Sequence, residues 1–241
     1  VGADENKRLG KEIIAKNSPV VVGYSLVGVV DYVGKHQSRV RLLTDSGMTP
    51  AVRAVRGEPK QKMLAEQLNL MMDALMEQDN LFVGTDEKMR LIEQLEELEK
   101  KLQANQASLY LAKGVLSGCS RPSWRSQGVL LRGTGFNCDF ADSLSPARDL
   151  RTGFIAGAAK PEPLSILKEK DFLITTGMDG VFPAGLHVAK VVKVKPLQEG
   201  DYYYELEALP AAGNLDELSL VYILPPVGYD PNEQAPLMGW E

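Results

Sequence analysis

The chain has 241 residues, enough for one large domain or two small ones, and its 44% hydrophobic and 24% charged content is that of an ordinary soluble globular protein. The net charge of −5 argues against a general nucleic-acid-binding protein. No stretch approaches the roughly 20 apolar residues that a membrane-spanning helix needs. The two cysteines, Cys119 and Cys138, are too sparse for a disulfide framework and lack metal-ligand spacing. We interpret them as free thiols, with a single bridge as the alternative in an oxidising compartment.

The first part of the chain has the pattern of a sheet. Residues 1–17 are polar and fit a short helix or a loop. Short β-branched runs then follow at 20–22, 26–33, 40–44 and 51–55, separated by glycine, aspartate and proline. Such spacing is typical of an antiparallel sheet or a small barrel.

The hydrophobic period changes from that of a strand to that of a helix at Gly57. Pro59 suits the first turn of a helix, and apolar residues recur every three or four positions through Leu64, Leu68, Met71, Leu75 and Phe82. Thr85 is a good N-cap for a second helix, which the pattern of Leu91, Leu95, Leu98, Leu102, Leu109 and Ala112 extends to Gly114. We predict a helical hairpin that packs on itself, with an intermolecular coiled coil as the alternative.

Strand character returns at 129–131 and again in four segments, 172–176, 187–194, 202–209 and 218–224, after an irregular stretch at 134–170. The predicted fold is therefore mainly β, with two small β-barrel-like modules and an inserted α-helical hairpin. The first module comprises 1–56 plus 127–135, the insertion 57–126, the second module 136–227, and 228–241 is a flexible tail.

A glycine-rich connection at 175–188 joins two of these strands. It holds three glycines and one proline within nine residues, which predicts a tight hairpin turn between paired strands. It offers no convincing nucleophile, base or metal cluster, so its residues alone predict a structural turn without a catalytic or metal-binding role.

Nothing else in the sequence forms a catalytic, cofactor-binding or metal-binding set. The histidines, His36 and His187, lie in or beside turns of different modules, and a catalytic role for either would need a nucleophile nearby. Arg39 and Arg41 share one face of a strand. With Arg53 and Arg56 they would form either a solvated basic face or a surface for an acidic partner.

Two motifs resemble the family of the rod shape-determining protein MreC. The first is Leu26–Gly34 followed by Ser38–Asp45, similar to a "GxV…V…SRVxLLTD" hairpin; the second is the turn at 175–188, similar to "TSGxGGxFPxGxxVG". The positions that carry the resemblance are Ser38, Arg39, Val40, Thr44, Asp45, Thr176, Gly177, Gly180, Phe182, Pro183 and Gly185.

The resemblance implies a non-enzymatic periplasmic scaffold of the cell-elongation (rod) complex, which maintains cell shape by organising lateral peptidoglycan synthesis. It implies as partners the elongation-specific penicillin-binding transpeptidase, MreD and the MreB system, and self-association of the full-length protein. It also implies the periplasmic face of the bacterial inner membrane as the location, with a single-span anchor that this chain does not include. The helical insertion departs from the family pattern.

Two other functions remain as alternatives. In the first, the chain would be a coiled-coil adaptor that binds through helices 59–113. In the second, it would be a two-barrel hydrolase with a serine or cysteine near His36 or His187. The candidates for partner binding share an apolar side chain at a turn tip or on a helix: Phe182, Pro183, Met71, Leu75, Leu95 and Leu98.

Overall fold

The computed structural model describes residues 1–77, 85–103, 108–118, 130–155 and 164–227. Over these residues the helices are α1 (Ala3–Leu9), α2 (Glu58–Glu77) and α3 (Thr85–Gln103). The strands are β1 (Pro19–Val22), β2 (Ser25–Val33), β3 (Ser38–Leu42), β4 (Ala51–Gly57), β5 (Ser108–Ser117), β6 (Leu131–Asn137), β7 (Phe172–Thr175), β8 (His187–Val194), β9 (Tyr204–Pro210) and β10 (Tyr222–Ile223).

Six strands close into a barrel in the order β8-β7-β4-β5-β6-β9, and β9 pairs with β8 to complete the ring. Side chains alternate between the interior and the outside, as β6 shows from Leu131 onward, because successive residues of a strand point to opposite faces. Leu131, Leu173 and Leu206 are among the fully buried side chains of these strands. The prediction of a mainly-β fold is therefore confirmed.

The other strands form an antiparallel sheet in the order β10-β1-β2-β3. Its core consists of Val20, Val27 and Val30. The sheet meets the barrel at one parallel pairing, between Ser25 of β2 and His187 of β8. Hence β2 is bonded to both the barrel and the sheet.

By the density of internal contacts, the chain divides into two compact units. One contains the described residues of Val1–Arg53, Ala112–Asn137 and Leu167–Glu241, and the other those of Ala54–Leu111 and Cys138–Ile166. Strands from both predicted β modules share one sheet, since β10 pairs with β1. The module boundaries stay a prediction, and the tail at 228–241, Phe82, Val129 and Cys119 lie outside the described residues.

The predicted helical hairpin is present as α2 and α3, which pack against each other. Helix α2 begins at Glu58, directly after β4, with Pro59 in its first turn, and α3 begins at Thr85. Lys88 Nζ donates a hydrogen bond to the carbonyl oxygen of Met76 at 2.9 Å and so links the two helices.

The predicted extent of the second helix was wrong beyond Gln103, because Ser108–Ser117 is strand β5. Leu111, Ala112 and Leu116 are fully buried there, and β5 pairs antiparallel with β6. Leu109 and Ala112 fit a helical spacing, but pairing with a distant strand overrides a local periodicity.

Gly114, predicted to end the helix, instead lies within β5. A Cβ at this position would lie 2.6 Å from the carbonyl oxygen of Thr134 and 2.7 Å from Cδ2 of Phe136. The neighbouring strand approaches so closely that only glycine fits. A similar correction applies to the stretch at 134–170, predicted as loop: β6 extends to Asn137, and Arg148 and Ile155 form a short bridge.

We expect Gly114→Ala to destabilise the protein by about 1–3 kcal/mol, because the methyl group must displace buried backbone and a buried ring. Urea unfolding of the purified chain measures this change. Val115→Ala, at an exposed neighbour in the same strand, is the matched control and should change stability by less than about 0.5 kcal/mol. Equal stabilities of the two variants would contradict the assignment of Gly114 to a close strand contact.

Candidate functional surfaces

The turn between β7 and β8 is closed at its base by Thr175. Its buried hydroxyl group donates to the carbonyl oxygen of Pro183 at 2.5 Å and accepts from the amide of Leu186 at 2.9 Å. Its backbone amide donates to Leu186 O, and its carbonyl oxygen accepts from Gly185 N, each at 2.9 Å. Thr175 therefore holds together both ends of the connection, residues 176–186.

Asp179 organises the inside of the turn. One carboxylate oxygen accepts hydrogen bonds from the amides of Val181 and Phe182, each at 3.0 Å. The other accepts from the amide of Ala51, at the start of β4, also at 3.0 Å. Both oxygens of this carboxylate are therefore bound to backbone amides, and the turn is attached to a strand 128 positions away in sequence.

Thr176 completes the attachment to Ala51. Its amide donates to Ala51 O at 3.0 Å, and its hydroxyl donates to the same oxygen at 3.3 Å. Thus the amide and the carbonyl of Ala51 both bond to the turn. The resembled motif has a glycine where this chain has Asp179, so the comparison of motifs did not predict a role for this carboxylate. An aspartate two residues before a bonded amide is the local signal that would have revealed its bonds within the turn.

Three glycines of the turn have positive φ: Gly177 at 80°, Gly180 at 66° and Gly185 at 94°. Side chains other than glycine rarely adopt this conformation. Backbone geometry therefore explains why glycine occupies these three positions of the resembled motif.

The tip of the turn differs from the prediction. Phe182 is only 4% exposed and packs inside, whereas Met178 is 75% exposed and forms the apolar tip. Pro183 is partly exposed. The ring of Phe182 could contact a partner only if the turn opened. The partner-binding role of Pro183 stays a prediction.

In the first motif, residues 26–34 and 38–45, the polar contacts are made between side chains and centre on Asp31. One carboxylate oxygen accepts from Nε and Nη2 of Arg39, at 3.0 and 2.6 Å, and the other accepts from Nη2 of Arg41 at 2.8 Å. The hydrogen bond from Arg39, with the charge of Arg41, lowers the pKa of the Asp31 carboxyl. Ser38 and Val40 lie on β3 with these arginines, while Thr44 and Asp45 begin the following turn.

The predicted basic face is therefore largely absent. Arg39 and Arg41 are paired with Asp31, Arg53 is buried, and Arg56 donates from Nη1 to Ser165 O at 2.9 Å. The prediction was wrong in treating the four as one solvated group, because residues 52–55 of β4 are all buried, so that Arg53 is covered as well.

The two histidines have unrelated surroundings. His187 is buried beside the ring of Tyr24, with ring centroids 6.1 Å apart, and burial lowers its pKa. His36 Nδ1 lies 2.6 Å from a carboxylate oxygen of Asp4. Across the described parts of the chain, no serine or cysteine is hydrogen-bonded to either ring, and no group of His, Cys, Asp and Glu side chains is placed to hold a metal ion.

Among the hairpin side chains that the structure describes, five large apolar ones are exposed: Leu70, Met71, Met76, Met89 and Leu98. The buried contacts of α2 include Ala65 and Met72, whereas Leu75 and Leu95 are half-buried. The hairpin therefore packs on itself and still presents apolar side chains to solvent. The partner-binding roles of Met71, Leu75, Leu95 and Leu98 stay predictions.

Comparison with known proteins gives a family for this arrangement. A family model described as "Rod shape-determining protein MreC, barrel core" matches residues 10–100 and 147–225. Comparison with curated proteins finds no match.

The solved structures that match this chain include the following three. One named MreC is 18% identical with a TM-score of 0.46 and covers 91% of this chain and 73% of its own. MreC from Pseudomonas aeruginosa is 18% identical with a TM-score of 0.45 and covers 91% of this chain and 83% of its own. A complex between PBP2 and MreC from Helicobacter pylori is 13% identical with a TM-score of 0.38, covering 88% and 80%.

We expect Asp179→Ala to lower stability by about 2 kcal/mol, since it removes the acceptor of three backbone amides in a partly buried turn. Thermal and urea unfolding measure the change. The control is Met178→Ala, at the exposed tip of the same turn, which should stay within about 0.5 kcal/mol of the unmodified chain. If both variants unfold alike, Asp179 does not organise the turn.

Proposed function

Since this chain belongs to the MreC family of rod shape-determining proteins, we propose that it is a non-enzymatic scaffold of the bacterial cell-elongation complex, which organises lateral peptidoglycan synthesis. The observation that carries this proposal is the match of the family model over residues 10–100 and 147–225, which include most of the barrel strands. A scaffold acts by presenting surfaces at fixed positions, and a closed barrel without free edges is a rigid base for them.

The polar groups of the two motifs support a structural role. Asp179 and Thr175 are bonded to backbone groups of the turn and of β4, and Asp31 is bonded to two arginines. The side-chain oxygens of these three residues already make hydrogen bonds within the fold. A catalytic group must instead reach a reacting atom, so the hydrolase alternative has no support from these residues.

The implied partners are the elongation-specific penicillin-binding transpeptidase, MreD and the MreB system, with self-association of the full-length protein. MreC from Helicobacter pylori is found in a complex with PBP2, and we extend a partner of that kind to this chain. We place the protein at the periplasmic face of the inner membrane. No helix in the described ranges combines the length and the hydropathy needed to cross a membrane.

The second candidate is the adaptor that binds through its helices, and the exposed apolar residues of the hairpin favour it. Leu70, Met71 and Met76 stand on α2 and Met89 and Leu98 on α3. Methionine side chains are flexible and polarisable, so they adapt to different partner surfaces.

We expect the purified chain to bind the periplasmic region of the elongation-specific transpeptidase, and biolayer interferometry on the immobilised transpeptidase measures this. The double variant Met71→Glu, Leu98→Glu places charges on the exposed hairpin without touching the barrel. If the β strands bind, its affinity should remain within about threefold; if the helices bind, it should fall by at least tenfold. Failure of the unmodified chain to bind would contradict the proposed scaffold function.

A further inference from the structure

The loop from Cys138 to Arg148, here called the 138–148 loop, leaves the end of β6 and returns on itself. The amide of Arg148 donates to the carbonyl oxygen of Cys138 at 2.8 Å and closes it. Cys138 and Ser145 are buried inside, with Sγ 3.9 Å from Oγ of Ser145 and 3.6 Å from the carbonyl oxygen of Pro146. The loop therefore has its own small interior, as compact Ω-loops do.

Asp142 fixes the far end of this loop. One of its carboxylate oxygens accepts from the amides of Leu144 and Ser145 at 2.8 and 2.9 Å, and its own amide donates to Ser145 O at 2.9 Å. The conformation is thus set before any partner arrives, and a pre-ordered loop loses little entropy on binding.

The chain just after the loop supports its base. Arg148 and Ile155 form an antiparallel bridge, and Arg148 Nη1 donates to Gly153 O at 3.0 Å. Asp149 accepts from the amides of Arg151 and Thr152 at 3.0 and 2.7 Å. The loop therefore stands on a second hydrogen-bonded turn.

Two large apolar side chains of this ordered loop are exposed to solvent. Phe140 is 76% exposed and Leu144 is 54% exposed. Exposed apolar area is unfavourable, and a rigid aromatic side chain at a protruding loop is typical of the central contact of a protein interface. Nothing in the described part of the chain covers these two side chains.

The charge of the loop limits the kind of surface that can cover these two side chains. Residues 138–148 contain two exposed aspartates, Asp139 and Asp142, and one arginine, Arg148, which is partly buried and donates from Nη1 to Gly153 O at the base of the loop. The exposed part of the loop, which holds Phe140 and Leu144, therefore carries a net negative charge.

We propose that the 138–148 loop is a docking element that inserts Phe140 into an apolar pocket with a basic rim on the transpeptidase. This inference rests on the proposed function for the identity of the partner and adds the contact site. A basic rim complements the aspartates. An anionic membrane surface would repel them, and so would the same acidic loop of a second copy.

The test measures binding of the full chain to the immobilised transpeptidase region by biolayer interferometry at two salt concentrations. Phe140→Ala should weaken the affinity at least tenfold, because the ring is the buried anchor of the contact. Asp139→Lys should weaken it about fivefold and reduce the dependence of the affinity on salt. Both substitutions are at exposed positions, and unchanged melting temperatures would show that the loop still folds.

Tyr202→Ala is the matched control, since this ring is also highly exposed but lies between β8 and β9, outside the loop. It should bind as the unmodified chain does. If Phe140→Ala binds normally while the unmodified chain binds, the docking element is refuted and the scaffold function stands. If Tyr202→Ala loses as much affinity, the effect is not specific to the loop and the inference fails.

Two other outcomes also overturn it. If the unmodified chain does not bind the transpeptidase, both the docking element and the proposed function fall. If sedimentation velocity shows that the unmodified chain self-associates and that Phe140→Ala abolishes this self-association, the occupant is a second copy and the assignment to the transpeptidase is wrong.

Discussion

One carboxylate, that of Asp179, connects the turn between β7 and β8 to the start of β4. It bonds two amides of its own turn and the amide of Ala51. Because β4 and β7 are neighbours in the barrel, this contact aligns the entry of one strand with the exit of the next. The hydroxyl group of Thr176 bonds to Ala51 as well, whereas that of Thr175 closes the base of the turn. The glycine-rich motif therefore attaches the turn between β7 and β8 to strand β4 of the barrel.

This interpretation explains why the turn contains several polar side chains but no catalytic or metal-binding group. Each polar side chain satisfies backbone groups that would otherwise be left unpaired where the chain bends away from the sheet. The three positive-φ glycines permit the bend, and Phe182 fills its interior. The large apolar side chains that stay exposed include Met178 at the tip of this turn, Met71 and Leu98 on the helical hairpin, and Phe140 and Leu144 in the 138–148 loop.

Local patterns predicted the strands and helices well where the local signal and the packing agree. The β-branched runs gave β1, β2 and β4, and the entry at Glu58-Pro59 gave the start of α2. The pattern failed at β5, where Leu109 and Ala112 continue a helical period but the chain pairs with β6. It also failed to distinguish Phe182 from Met178 as the exposed tip, because the direction of a side chain in a turn depends on distant contacts. The bond from Asp179 to Ala51 was missed because it joins positions 128 residues apart, and Phe140 was missed because no spacing records the exposure of its ring.

The account depends most directly on the bond between Asp179 and Ala51, and amide hydrogen exchange measured by NMR tests it. The account predicts that the amides of Ala51, Val181 and Phe182 exchange as slowly as those at the centre of β8, and that Asp179→Ala accelerates all three while β2 and β3 keep their protection. Exchange of these three amides at the rate of an unstructured chain in the unmodified protein would contradict it.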